Sequence, residues 1–268
     1  MKKFTLILLS TFLLLTAQRL LAQVDTRIGN NTSGNTPTTG PCPLQDYYEG
    51  SRAQYLFRAS ELQAAGMRAG NISGVKFYVL SLGNAGTIEG YSIKLGTTTA
   101  TTLTTSWLPV TFVGRAAADY TPTAGWNNFA FPSGFYWNGT DNLVLEVCNG
   151  QAAPMPDGVW YTNNPVVGST SGLSFNASRT YTVDNTADIC ATTSTSVNGS
   201  QTTRPDVTFT WIPDAVCAGT PAAGTASASK ANVCAGEAFD LSVSGTTIAQ
   251  NIKFQWQSST DNVNWTNL

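Results

Sequence analysis

The chain has 268 residues, of which 42% are apolar and only 11% charged, and its formal net charge is −2. The absence of a basic excess argues against nucleic acid as a partner. It contains no histidine, which excludes Ser-His-Asp and Cys-His catalysis and removes the commonest metal ligand.

The N-terminus has the three parts of a signal peptide, expected over residues 1–22. Lys2 and Lys3 precede an apolar run from Phe4 to Leu15, and Leu20 and Ala22 fit the minus-three and minus-one positions for cleavage before Gln23. The run is too short to span a bilayer comfortably, no cysteine stands at the cleavage site, and no later stretch reads as a membrane span. The 14 basic residues less Lys2, Lys3 and Arg19 leave 11 against 16 acidic ones, a charge of −5 for the exported chain. Residues 23–40 are polar and rich in Gly, Asn and Thr, and are expected to form a flexible leader.

From residue 41 onward the signals are those of strands and turns. "QYLF" reads as a strand, and Ser60 is placed to cap a short helix that Gly66 ends. Val75, Phe77 and Val79 alternate with Lys76 and Tyr78, and Tyr91, Ile93 and Leu95 alternate with Ser92 and Lys94. A further strand is expected at Val110–Val113. In "GWNNFAFPSGFYWNGTDNLVLEVC", Trp126 and Asn128 point one way and Asn127, Phe129 and Phe131 the other, with Trp126 and Phe129 both expected in the core. Pro132–Gly134 breaks the run and Asn138-Gly139 turns the chain into Leu143, Leu145 and Val147. "VWYT", "GLSFN" and "RTYTV" are short strand candidates, followed by Val207, Phe209 and Trp211. This pattern predicts an all-β fold: a jelly-roll-like β-sandwich with one short helix over 41–213.

Residues 214–230 read as a linker of small residues. Beyond it, over 231–268, Phe239, Leu241 and Val243 alternate, Phe254 and Trp256 share a face, and "TDNVNW" turns towards Trp265. These are the first strands of an immunoglobulin-like β-sandwich, which needs about seven, so this second domain is expected to be truncated.

The five cysteines show no CxxC spacing, and in an exported chain they read as disulfide formers. Cys148 and Cys190 are the expected pair, and the pairing of Cys42, Cys217 and Cys234 stays open. No metal site or cofactor is expected: Val263 occupies a ligand position of the EF-hand spacing, so that motif fails. Glu61, Glu89, Glu146, Asp157 and Asp184 are scattered and form no paired-carboxylate motif, although Glu146 opposes the inferred core face of its strand. The chain is therefore expected not to be an enzyme. Flat aromatic faces stack on sugar rings, and Trp160, Tyr161, Tyr136 and Trp137 are the ligand-binding candidates outside the evident core strands.

Three stretches, "YYEGSRAQYLFRASELQAAGMRAGNISGVKFYV", "YTPTAGWNNFAFPSGFYWNGTDNLVLEVC" and "TTRPDVTFTW", together resemble an N-terminal module of large secreted surface proteins of Bacteroidota. The "CAGTPAAGTASASKANVCAGEAFDLSVSG" region with "FQWQSSTDNVNW" is similar to the immunoglobulin-like repeats that follow it there. The resemblance implies a multidomain protein at the cell surface or in the medium, of the kind carried by type IX secretion. It carries no catalytic residues onto this sequence. The expected partners are extracellular glycans or surface proteins. The alternatives are a structural stalk or spacer, or an accessory module of a larger secreted enzyme.

Overall fold

The structure is a computed structural model, and it describes residues 23–29, 33–45, 47–150, 165–184, 189–191, 199–214, 220–234, 236–249, 252 and 254–267. Thirteen strands build the first region: β1 (Val24–Ile28), β2 (Ser33–Asn35), β3 (Gly50–Phe57), β4 (Gly70–Ser81), β5 (Ile88–Thr98), β6 (Phe112–Tyr120), β7 (Gly125–Trp137), β8 (Asn142–Gly150), β9 (Val166–Thr170), β10 (Ser178–Val183), β11 (Gly199–Gln201), β12 (Arg204–Pro205) and β13 (Val207–Pro213). One helix, α1 (Ala59–Ala64), follows β3. The strands form two antiparallel sheets. One has seven strands, ordered β1-β13-β4-β9-β12 with β2 on β9 and β7 on β4, and the other has six, ordered β11-β10-β3-β8-β5-β6.

Period-two alternation puts one side chain in two from each sheet into the space between them. From the seven-stranded sheet come Ile72, Val75, Phe77, Val79, Phe129, Phe131, Val207, Phe209 and Trp211; from the six-stranded sheet come Ala53, Tyr55, Phe57, Tyr91, Ile93, Leu95, Leu143, Leu145 and Val147. Phe57 and Phe209 meet edge to face across the gap at 5.2 Å. Each large apolar side chain buried here contributes about 1.5–3 kcal/mol. Ile72 and Val75 both face inward because the register slips between Ile72 and Gly74. A Cβ at Gly74 would come within 2.7 Å of the Phe129 carbonyl oxygen, so the bulge needs a glycine. The fold is thus an all-β sandwich with one short helix.

Several local expectations are corrected. Val24–Ile28, read as leader, is a strand paired along its length with β13, and Trp211 Nε1 donates to Thr26 Oγ1 at 2.9 Å. Ser33–Asn35 pairs with β9 in the same way. A polar segment holds its place here because backbone bonds to a neighbouring strand carry it. The helix N-cap is Arg58, not Ser60, and Glu61 accepts the Arg58 backbone N–H at 2.9 Å. Only from Phe112 onward is the Val110–Val113 stretch a strand. "GLSFN" is not a strand; instead Phe175 is buried in a second cluster with Leu56, Leu103 and Ala177, on the outer side of the six-stranded sheet. Trp126 is exposed, whereas Phe129 is buried as expected. "VWYT" lies outside the described residues.

Beyond the sandwich, β14 (Thr225–Ala228) pairs with β15 (Leu241–Ser244), and β16 (Gln257–Ser258) with β17 (Thr266–Asn267). β14 falls within the stretch read as linker. Phe239, Leu241, Val243, Phe254, Trp256 and Trp265 are all exposed. The turn between β16 and β17 is an Asp261 turn, with Oδ1 accepting the N–H groups of Val263 and Asn264; these bonds hold the Asp261 carboxyl well below the usual range.

Candidate functional site

The outer faces of the two sheets differ, and each presents one arrangement able to meet a ligand. On the seven-stranded sheet the outer side chains around Trp126 and Asn128 are exposed among the described residues. Tyr78 on β4 lies directly opposite Trp126 on β7, and two residues along, Lys76 lies opposite Asn128. The Tyr78 and Trp126 rings meet edge to face at 4.9 Å, and Trp126 is 43% exposed. The Arg27 guanidinium reaches over the Trp126 ring at 5.8 Å from its centroid. Lys76 Nζ pairs with Asp25 Oδ2 at 2.5 Å, and Asp25 Oδ1 accepts the Thr210 hydroxyl at 2.6 Å. With about 3.3 Å per residue, Lys76 and Asn128 stand about 7 Å along their strands from the aromatic pair, and the Asp25 carboxylate meets the Lys76 ammonium.

On the six-stranded sheet the outer face is covered. The segment 99–111 crosses it and is fastened by side chains that replace a neighbouring strand. Gln54 Nε2 donates to the Leu108 carbonyl at 2.8 Å and Gln54 Oε1 accepts the Leu108 N–H at 2.9 Å. Arg58 donates to the Thr101 carbonyl, and Asn142 to that of Ala100. Beneath this cover Glu146 Oε2 accepts bonds from Arg52 Nε and Nη2, at 3.0 and 2.8 Å, and from Gln54 Nε2 at 2.9 Å. The guanidinium carbons of Arg52 and Arg179 lie 4.2 and 4.1 Å from the Trp107 ring centroid. A cavity of about 530 Å³ opens beside Trp107, lined among others by Arg52, Lys94, Ser106 and Glu146. The Cys148–Cys190 disulfide, expected from the sequence, stands at its rim and closes a separation of 42 residues.

Of the four aromatic residues singled out from the sequence, the two described ones, Tyr136 and Trp137, differ sharply in exposure. Trp137 is 1% exposed and its Nε1 donates to the Asp141 carbonyl at 2.7 Å, so it offers no face to a ligand. The sequence makes it a ligand-binding candidate outside the evident core strands, but its strand parity turns it inward. Tyr136 is exposed, and a hydrogen bond to Asp214 raises its phenol above the ordinary value. It pairs with Asn71 on β4 where Trp126 pairs with Tyr78, so the two rings lie roughly 23 Å apart along the sheet. Trp160 and Tyr161 lie outside the described residues. Sequence reasoning missed Tyr78, Trp126 as a surface ring, and Lys94 and Trp107. The signal for the first two was the alternation itself, which puts Tyr78 and Trp126 opposite their core-facing neighbours.

Two further buried reactive groups, Arg204 and Cys42, are engaged in structure. Arg204 is buried and donates to both Glu61 carboxylate oxygens and to the Leu56 carbonyl, tying α1 to the sheets. Cys42 is buried and its thiol donates to the Pro165 carbonyl. Cys234 is exposed, and Cys217 lies outside the described residues. Among the described residues no three His, Cys, Asp or Glu side chains are grouped to hold a metal ion, and no helix is long and apolar enough to cross a membrane.

Residues 222–268 match a family described as a domain of unknown function, DUF8696. No curated protein and no solved structure matches the chain.

Proposed function

We propose that the chain is an exported, non-catalytic surface protein whose first sandwich binds glycan on the outer face of its seven-stranded sheet. The observation that carries this reading is the Tyr78–Trp126 pair, an exposed Trp126 ring beside a half-buried Tyr78, with β4 held by neighbouring strands on both edges. An apolar ring face packs against the C–H groups of a pyranose. Lys76, Asp25 and Asn128 supply the donors and acceptors for its hydroxyl groups within the length of one further sugar. The signal-peptide pattern and the resemblance to secreted surface modules of Bacteroidota support export and an adhesion role.

A glycan-array screen of the full chain, beside a Trp126→Ala variant, tests it. Saturable binding that falls at least about tenfold in the folded variant is expected, as for loss of an aromatic anchor. Binding unchanged by the substitution would sink this site. The separate family match over residues 222–268 favours a modular chain, and a protein that binds no glycan is better read as a spacer in such an array.

A further inference from the structure

We infer that residues 246–249 form an internal docking element: Ile248 seats on the turn that ends α1 and fixes the 222–268 module against the sandwich, so that the two move as one body. This interface is independent of the Tyr78–Trp126 face.

The first observation is the contact itself. Ile248 is half-buried and packs against the hydrophobic core cluster of the sandwich, and Ala249 beside it is only 4% exposed. By contrast, Phe239, Leu241, Val243, Phe254 and Trp256 of the same module are exposed. Apolar surface is therefore removed from water at this loop and not on the β14–β15 hairpin, and burial of that kind is what holds two bodies together.

The second observation is the shape of the landing point. α1 ends in a Schellman turn, in which the Gly66 N–H donates to the Gln63 carbonyl at 3.0 Å and the Met67 N–H to the Leu62 carbonyl at 2.9 Å. Gly66 has a φ of +99°, and a Cβ there would lie 3.2 Å from Ile248 Cδ1. The missing side chain thus both closes the helix and leaves the space that Ile248 occupies. Leu62 and Met67, which flank it, are fully buried in the core cluster. The turn is itself held in place: Glu61 pairs with Arg204, Gln63 Nε2 donates to the Gly139 carbonyl at 2.7 Å, and Arg68 donates to the carbonyls of Gln63 and Met67.

The third observation is that the loop is fastened at both ends of the connection. The chain leaves the sandwich beside the landing point, where the Asp214 N–H donates to the Ala69 carbonyl at 3.0 Å. Within the second module, the Thr247 N–H donates to the Ala222 carbonyl at 3.2 Å and Thr247 Oγ1 accepts the Ala222 N–H at 2.8 Å. A short connection between Asp214 and Ala222 gives the docking step a high effective concentration, so a small apolar contact is enough to hold it.

The test uses the full chain, as the parent, Ile248→Asp and Ile248→Leu. In the parent, NMR relaxation of backbone amides should give the sandwich and the β14–β15 hairpin one rotational correlation time. Hydrogen exchange at Gly66 and Met67, and at Thr247, should rise about fivefold in Ile248→Asp, as for loss of a half-buried aliphatic contact, and stay within about twofold of the parent in Ile248→Leu. Two distinct correlation times in the parent would overturn the proposal. So would exchange at Gly66 and Met67 that Ile248→Asp leaves unchanged; a rise at Thr247 alone would place Ile248 in the packing of its own module.

Discussion

β7 and β8 are consecutive strands joined by a four-residue turn, yet they meet solvent in opposite ways. Along β7, from Trp126 to Phe131, exposed and buried side chains alternate. Along β8, every residue from Leu143 to Asn149 is buried. The difference lies in what covers the second face: among the described residues Trp126 and Asn128 stay exposed on the seven-stranded sheet, and the 99–111 segment with the disulfide covers the six-stranded sheet. A sheet with one covered face hides its apolar residues. A sheet with two covered faces hides polar ones too, and these must then satisfy each other. Arg52, Gln54 and Glu146 Oε2 do so, which locks the centre of the covered face, while Glu146 Oε1 and Arg179 Nε and Nη2 are buried without a hydrogen-bond partner.

If the covered face is locked in this way, breaking its centre has the largest effect. Glu146→Ala is expected to cost about 3–5 kcal/mol, because it leaves Arg52 beside Arg179 without its carboxylate. The double change Arg52→Met, Glu146→Leu should cost less than Glu146→Ala alone, as measured by denaturant unfolding. Replacing both Cys148 and Cys190 with serine should lower stability by up to about 4 kcal/mol, from the loop they close.

Between the two faces, the core holds Tyr55 and Tyr91 with their hydroxyl groups buried and unpartnered. Burial raises both phenols well above 10, foremost through desolvation. The unfolded chain ionises them more readily, so this contribution is intact below about pH 10 and is lost as the pH rises beyond it. An alkaline titration of phenolate absorbance should show two tyrosines that ionise only on unfolding. The smallest effect belongs to the outer face around Trp126. Trp126→Ala should change stability by under about 1 kcal/mol, since the ring is half free and its loss opens no core cavity.

The alternation of Val75, Phe77 and Val79, of Tyr91, Ile93 and Leu95, and of Val207, Phe209 and Trp211 was enough to place the core strands, because each inner face is apolar. The same rule carried to its end would have put Trp126 outside, since two rings of opposite parity on one strand cannot both enter one core. The β1 and β2 strands were not legible: their polar residues are held by pairing with β13 and β9, a non-local fact. The covering of β8 was equally hidden, because the Thr-rich 99–111 segment carries no periodicity, and it is Gln54, Arg58 and Asn142 that fasten it. Of the candidate sites, the Tyr78–Trp126 pair was readable strand by strand but not as a pair, which depends on β4 lying beside β7. The cavity beside Trp107 depends on where the 99–111 segment crosses the sheet, and strand spacing does not determine that.

Glycan binding by the full chain, measured against Trp126→Ala on an array and confirmed by calorimetry, is the most direct test. The account predicts saturable binding that the variant loses by at least about tenfold while its unfolding curve stays close to that of the parent. Binding that survives the substitution, or that disappears only because the variant unfolds, would contradict the assignment of the outer sheet face around Trp126 as the binding surface.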